Sequence, residues 1–157
     1  MHIEIWSVGK DNEAFIADGI AHYFKKIKPY NSIELVLLQT PKKAATTDTE
    51  KAKLQEEEMI LKRLQPQHYL VLLDERGKML ASPQWAQQMQ QMMNQGVKTL
   101  VLLIGGAYGV TDKVRQEAKQ VWSLSALVFP HQMVRLLLAE QVYRALSILN
   151  NSPYHHS

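Results

Sequence analysis

Apolar and polar positions change period repeatedly along the chain. HIEIWSV (2–8) reads as a strand, and Phe15, Ile16, Ile20, Tyr23, Phe24 and Ile27 then recur at helical spacing behind a cap at Asp11 or Asn12. SIELVLL (32–38) predicts a second strand. QTPKKAATTDT (39–49) reads as a polar loop, followed by a charged helix over Glu50–Leu64. HYLVLLD (68–74) predicts a strand, ERGK (75–78) a turn, and SPQWAQQMQQMMNQ (82–95) a helix with Pro83 just inside its start. VKTLVLLI (97–104) predicts another strand, then a short helix near 111–119 with Asp112 at its cap. SLSALVF (123–129) follows, and a long helix runs over Gln132–Leu149.

The runs LVLL and LVLLI do not alternate with polar residues, which is the pattern of strands buried on both faces. Strand and helix alternate throughout, so the expectation is one α/β domain over 1–157 with a mostly parallel sheet flanked by helices. No internal repeat or linker divides the chain. In open α/β sheets ligands bind beyond the carboxyl ends of strands. Three such ends carry suggestive chemistry: Leu73–Asp74, Ile104–Gly105–Gly106 and the SLSALVFPH segment. A pocket is expected there.

The last predicted helix is apolar almost all round. Leu136, Leu137 and Leu138 are consecutive and point in three directions, with Val134, Val142, Leu146 and Leu149 nearby. Such a helix is buried on more than one side, which its own sheet and a partner subunit together would explain. A homodimer is the expectation, with Trp122 in the core.

Composition narrows the classes. The chain has 157 residues, 46% hydrophobic and 21% charged, ordinary values for a globular protein. It holds no cysteine, which removes thiolate nucleophiles and Cys-based metal sites. MHIEIWSVGKDNEAF carries Glu4 and no long apolar block, and no stretch approaches the roughly 20 apolar residues of a membrane span. A cytoplasmic protein without membrane association is expected. Net charge is +3, and the excess sits after residue 112, where five Lys and Arg face only Glu117 and Glu140. A polyanion could be met at that end.

LLIGGAYGV (102–110) places Gly105, Gly106 and Gly109 directly after an apolar run. The spacing fits neither G-x-G-x-x-G nor a P-loop, and no Lys or Ser/Thr stands where phosphates would need one. A structural turn and a pocket for a small molecule both remain open. There is no H-E-x-x-H and no G-x-S-x-G, and the adjacent His155 and His156 suit a metal poorly, so no metal is expected.

Four further pieces stand in register: LLIGGAYG, WSLSAL followed by PH, VRLLLAEQVYRA, and the ending NNSPYHH. Together with the opening strand ending in VGK they resemble the RlmH family of ribosomal RNA large-subunit pseudouridine methyltransferases, in the SPOUT superfamily. The resemblance runs the length of the chain. It implies a C-terminal trefoil knot, which general topology rules would not propose. It also implies a homodimer and an S-adenosylmethionine pocket. In that pocket Gly105 and Gly106 would let backbone press on the cofactor. Leu73 and the stretch Leu124, Ser125, Ala126, Leu127, Val128 and Phe129 would wrap it. The implied reaction is methylation of N3 of a pseudouridine in large-subunit ribosomal RNA, on the ribosome.

With that resemblance, the terminal Tyr154 and His155 become catalytic candidates. Tyr154 could stack on a base, and His155 could accept a proton or position RNA. His131, following Pro130, is either a core or capping residue or an RNA contact. Arg144 is spaced to pair with Glu140, which competes with a phosphate contact. Arg135 shows no such partner and is the stronger RNA candidate. Two rival readings stay open: a non-enzymatic ribosome-associated RNA-binding module, and a small enzyme acting on a free nucleotide.

Overall fold

Successive residues of the strand Thr99–Ile104 turn to opposite faces of one sheet, and both faces are covered. Leu100, Leu102 and Ile104 join Ile3, Ile5 and Val71 in one buried cluster. Val101 and Leu103 join Trp6, Leu70 and Leu72 in another. The unbroken apolar runs follow from this, because neither face of the central strands meets water.

The computed structural model describes residues 1–40 and 47–156. Its elements are β1 (His2–Val8), α1 (Ala14–Ile27), β2 (Ile33–Leu38), α2 (Thr49–Arg63), β3 (His68–Met79), α3 (Ser82–Asn94), β4 (Thr99–Ile104), α4 (Asp112–Glu117), β5 (Gln120–Ser123) and α5 (His131–Leu149). Residues 41–46 of the expected polar loop lie outside the described residues. The sheet has the order β2-β1-β4-β3-β5, and every pairing is parallel. Helices α1, α3 and α5 cover one face; α2 and α4, through Ile60 and Val114, cover the other. No helix among the described residues is long and apolar enough to cross a membrane.

Helix α5 has no exposed residue between His131 and Leu149. Its own neighbours account for much of that. Leu138 lies in the core, and Leu136 packs against α1, where a Cβ on Gly19 would come within 2.8 Å of Leu136 Cδ1. Leu137 borders a cleft with Leu80 and Trp85 on the α3 side. The apolar circumference therefore does not by itself call for a second subunit.

Local expectations are corrected at four places. The stretch read as a turn at 75–78 belongs to β3, which leaves its ladder after Leu73 and rejoins β5 at Lys78. Gly77 makes that return possible, because a Cβ there would stand 2.7 Å from backbone atoms of Val121 and Trp122. The last strand occupies Gln120–Ser123, and 124–129 is irregular. Helix α1 is preceded by Glu13 with no side-chain cap, since Asn12 is engaged by Arg135. Thr111, not Asp112, caps α4 by accepting from Val114 N.

Candidate functional site

The carboxyl ends of β4, β3 and β5 are adjacent, and a cavity of about 630 Å³ opens over them. That is where a parallel sheet offers a ligand site, and the volume falls in the range of small-molecule pockets, about 300–1,000 Å³. Leu73 from β3, Gly105 and Gly106 after β4, and Leu124, Ser125, Leu127, Val128 and Phe129 after β5 all line it. Ala126 shares the last segment without forming part of the wall. Eight of the nine expected cofactor residues are thus gathered from three distant parts of the sequence.

The glycine run is a tight turn at the rim. Gly109 N donates to Gly106 O at 3.0 Å, and Gly109 has φ +78, a conformation that favours glycine. The other two glycines serve packing. A Cβ on Gly105 would meet Val110 Cγ1 at 2.8 Å, and one on Gly106 would meet the Glu56 carboxylate at 2.5 Å. The space expected for the ligand at these two Cα atoms is taken by the protein's own side chains. What the glycines allow is a loop folded close to α2, with its backbone on the cavity wall.

Ser125 shapes the opposite wall. Its hydroxyl accepts from Leu127 N at 3.0 Å, and its carbonyl accepts from Ser123 Oγ at 3.1 Å. Leu127 and Val128 are then presented with 71% and 85% exposure, an apolar surface suited to a flat or aliphatic ligand.

Charged groups ring the cavity. Asp74 accepts from Arg76 N at 2.8 Å and from Arg115 Nη2 at 2.5 Å, tying the β3 excursion to α4. Burial would raise the Asp74 pKa, but the bonds from Arg76 and Arg115 outweigh it and hold the carboxyl below its usual range. Glu56 lies against Gly106, where burial pushes its pKa up, with Lys53 opposing. His131 begins α5 on the cavity wall. Burial and then the charge of Arg135 push its pKa down, against a weaker effect of the Val8 backbone, so the imidazole is neutral at physiological pH.

A family model described as "Predicted SPOUT methyltransferase" matches residues 1–155. The chain belongs to the SPOUT methyltransferase family. A ribosomal RNA large subunit methyltransferase H from Trichlorobacter lovleyi is 42% identical over 156 residues, covering 99% of this chain and 100% of that one. The protein of the same name from Cytophaga hutchinsonii is 38% identical over 156 residues, with the same coverage. Among solved structures, a probable methyltransferase from Bordetella pertussis aligns with TM-score 0.56 and 15% identity, over 92% of this chain and 94% of that one. A probable methylase family protein from Haemophilus influenzae aligns with TM-score 0.54 and 14% identity, over 95% of this chain and 66% of that one. At such identities the structural likeness speaks for the SPOUT fold alone.

Within this SPOUT domain the expected RNA residues fall in different places. Arg135 is corrected: it is 2% exposed and not a free surface cation. Its Nε donates to Ser7 Oγ at 2.7 Å, and its Nη1 donates to Lys10 O and Asn12 Oδ1, both at 2.8 Å. These acceptors lie in the first strand and its loop, where sequence spacing gives no hint of a partner. Arg144 pairs with Glu140 as its spacing predicts, at 3.0 Å through Nε.

The terminal residues are folded back on α5. The Tyr154 ring stands 4.6 Å from Tyr143 and 4.8 Å from the Arg144 guanidinium, and its hydroxyl donates to Glu140 Oε1 at 3.1 Å. Burial first, then hydrogen bonds to Tyr23 and Glu140, raise the phenol pKa well above its ordinary value. Arg144 Nη1 lies 3.3 Å from His155 Nδ1. Tyr154 and His155 are therefore ordered, but not in their own chain's cavity. From Val134 on the wall to Arg144 beside the tail, α5 advances ten residues, about 15 Å.

Proposed function

We propose that this SPOUT protein transfers a methyl group from S-adenosylmethionine to N3 of a pseudouridine in large-subunit ribosomal RNA, acting on the assembled ribosome in the cytoplasm. The observation that carries the reading is the cavity over β4, β3 and β5, in a chain that matches a methyltransferase family across residues 1–155. The names of the full-length relatives supply the substrate class.

The cavity residues fit the donor. Backbone at Gly105 and Gly106 and the wall at Leu124–Phe129 can take an adenosine without a side-chain nucleotide motif, and Leu73 closes the floor. S-Adenosylmethionine brings an activated methyl group, so the chain's own task is to align donor and acceptor and to favour loss of the N3 proton. His131 keeps a neutral ring at the wall. The trefoil knot implied by the family belongs to this reading.

The tail sets a geometric condition. If Tyr154 and His155 act in the reaction, a second copy must bring them to the cavity, since roughly 15 Å of helix separates the two within one chain. The reading therefore includes a homodimer in which the tail of one copy serves the cavity of the other.

Calorimetry with S-adenosylmethionine separates this reading from a pure RNA-binding module, which would give no heat. Methylation of ribosomes but not of free pseudouridine separates it from an enzyme acting on small nucleotides.

A further inference from the structure

The tail offers two titratable side chains, and their hydrogen bonds restrict what each can do. Arginine has donors and no acceptor, so the contact between Arg144 Nη1 and His155 Nδ1 at 3.3 Å needs a lone pair on Nδ1. The neutral ring then carries its proton on Nε2. A base acting through Nε2 would need a lone pair there, and one acting through Nδ1 would have to displace Arg144. Tyr154 is likewise committed, because its hydroxyl donates to Glu140. Of these two side chains, His155 through Nε2–H is therefore the one left to donate to a substrate.

We infer that His155 serves the methyl transfer through its Nε2–H, as a donor to a carbonyl oxygen of the target base, and that Arg144 positions it by fixing the tautomer. This rests on the methyltransferase reading above. In the step, the N3–H pair becomes the bond to the methyl carbon, sulfur keeps the pair of the broken S–C bond, and the N3 proton passes to solvent. Negative charge from N3 spreads to the flanking carbonyl oxygens, and a donor aimed at one of them is most effective as that charge forms. Glu140 holds both Arg144 and Tyr154, so the donor is set before the substrate arrives.

Two measurements test this. Nitrogen-15 NMR of the histidine rings at about pH 8.5, where imidazoles are neutral, reads the tautomer in the free protein. The Nε2–H form is expected for His155 in the wild type, with a mixture in Arg144→Ala. A dominant Nδ1–H form in the wild type overturns the inference whatever the activity. The second measurement compares His155→Ala and His155→Gln on ribosomes, with folding and S-adenosylmethionine affinity checked in each. The glutamine amide places an N–H near the position of Nε2 but cannot take a proton. Loss of kcat by about 10²–10³-fold in the Ala variant, the usual effect of removing such a donor, is expected. The Gln variant should recover most of it. If Gln is as inactive as Ala, while the wild-type rate follows the titration of a histidine, His155 is the base and the inference fails. If the wild type itself methylates no ribosomes, the functional reading fails, and the tautomer result stands apart from it.

Discussion

The guanidinium of Arg135 meets the hydroxyl of Ser7 at 2.7 Å across 128 positions of sequence, binding the last helix to the first strand. The same group holds Lys10 and Asn12, so the loop after β1 takes its shape from a residue of α5. Gly9 belongs to this arrangement: it has φ +136, and a Cβ there would stand 2.9 Å from Arg135 Nη2.

Arg135→Ala should destabilise the fold by about 2–4 kcal/mol, because three acceptors lose their donor at once. Urea unfolding measures this. The salt dependence of ribosome binding should not change. A variant of wild-type stability whose salt slope falls by about one unit would return Arg135 to an RNA contact.

Gly77→Ala should cost about 2–3 kcal/mol, near the upper part of the range for forced overpacking. The colliding atoms are backbone of Val121 and Trp122, which cannot rotate away. Loss of hydrogen-exchange protection should concentrate at Gln120–Ser123. Wild-type stability in this variant would mean that β5 tolerates a wider spacing.

Glu56 should affect stability in the opposite sense to a paired acid. Burial raises its folded pKa, so ionisation is easier in the unfolded chain. The resulting penalty is absent below the unfolded value, about 4.3, grows as pH rises towards the folded pKa, and is complete above it. Glu56→Gln should therefore raise Tm at pH 7 and leave it nearly unchanged at pH 4. An equal gain at both pH values would show that the charge is not the cause.

Much of the fold was legible because period and burial coincide. The runs at 70–73 and 100–104 announced a sheet covered on both faces, and the protein has one. The cavity was legible by a different route: the ends of the apolar strands marked where a pocket should open, the family resemblance named nine residues for it, and eight of those line it. The misreadings share one physical cause. The β3 excursion and the partner of Arg135 both depend on segments distant in sequence, and period carries no information about those contacts. The glycine run shows the same limit: its presence was readable, but the neighbours Val110 and Glu56 that require it were not.

Mixing two inactive variants tests the shared site. Gly105→Val should collide with Val110 and spoil the cavity, while His155→Ala removes the tail group. Refolded together, they should give methylation above the sum of the two alone, because a mixed dimer pairs an intact cavity with an intact tail. No recovery, with mixed dimers present by native mass spectrometry, would place each tail with its own chain's cavity or outside the reaction.

The central claim is methylation of pseudouridine N3. Ribosomes from a strain lacking this protein, incubated with it and isotopically labelled S-adenosylmethionine, should yield N3-methylpseudouridine on nucleoside analysis of the large-subunit RNA. Free pseudouridine should yield none. Unlabelled RNA, or label on any other nucleoside, would contradict the account.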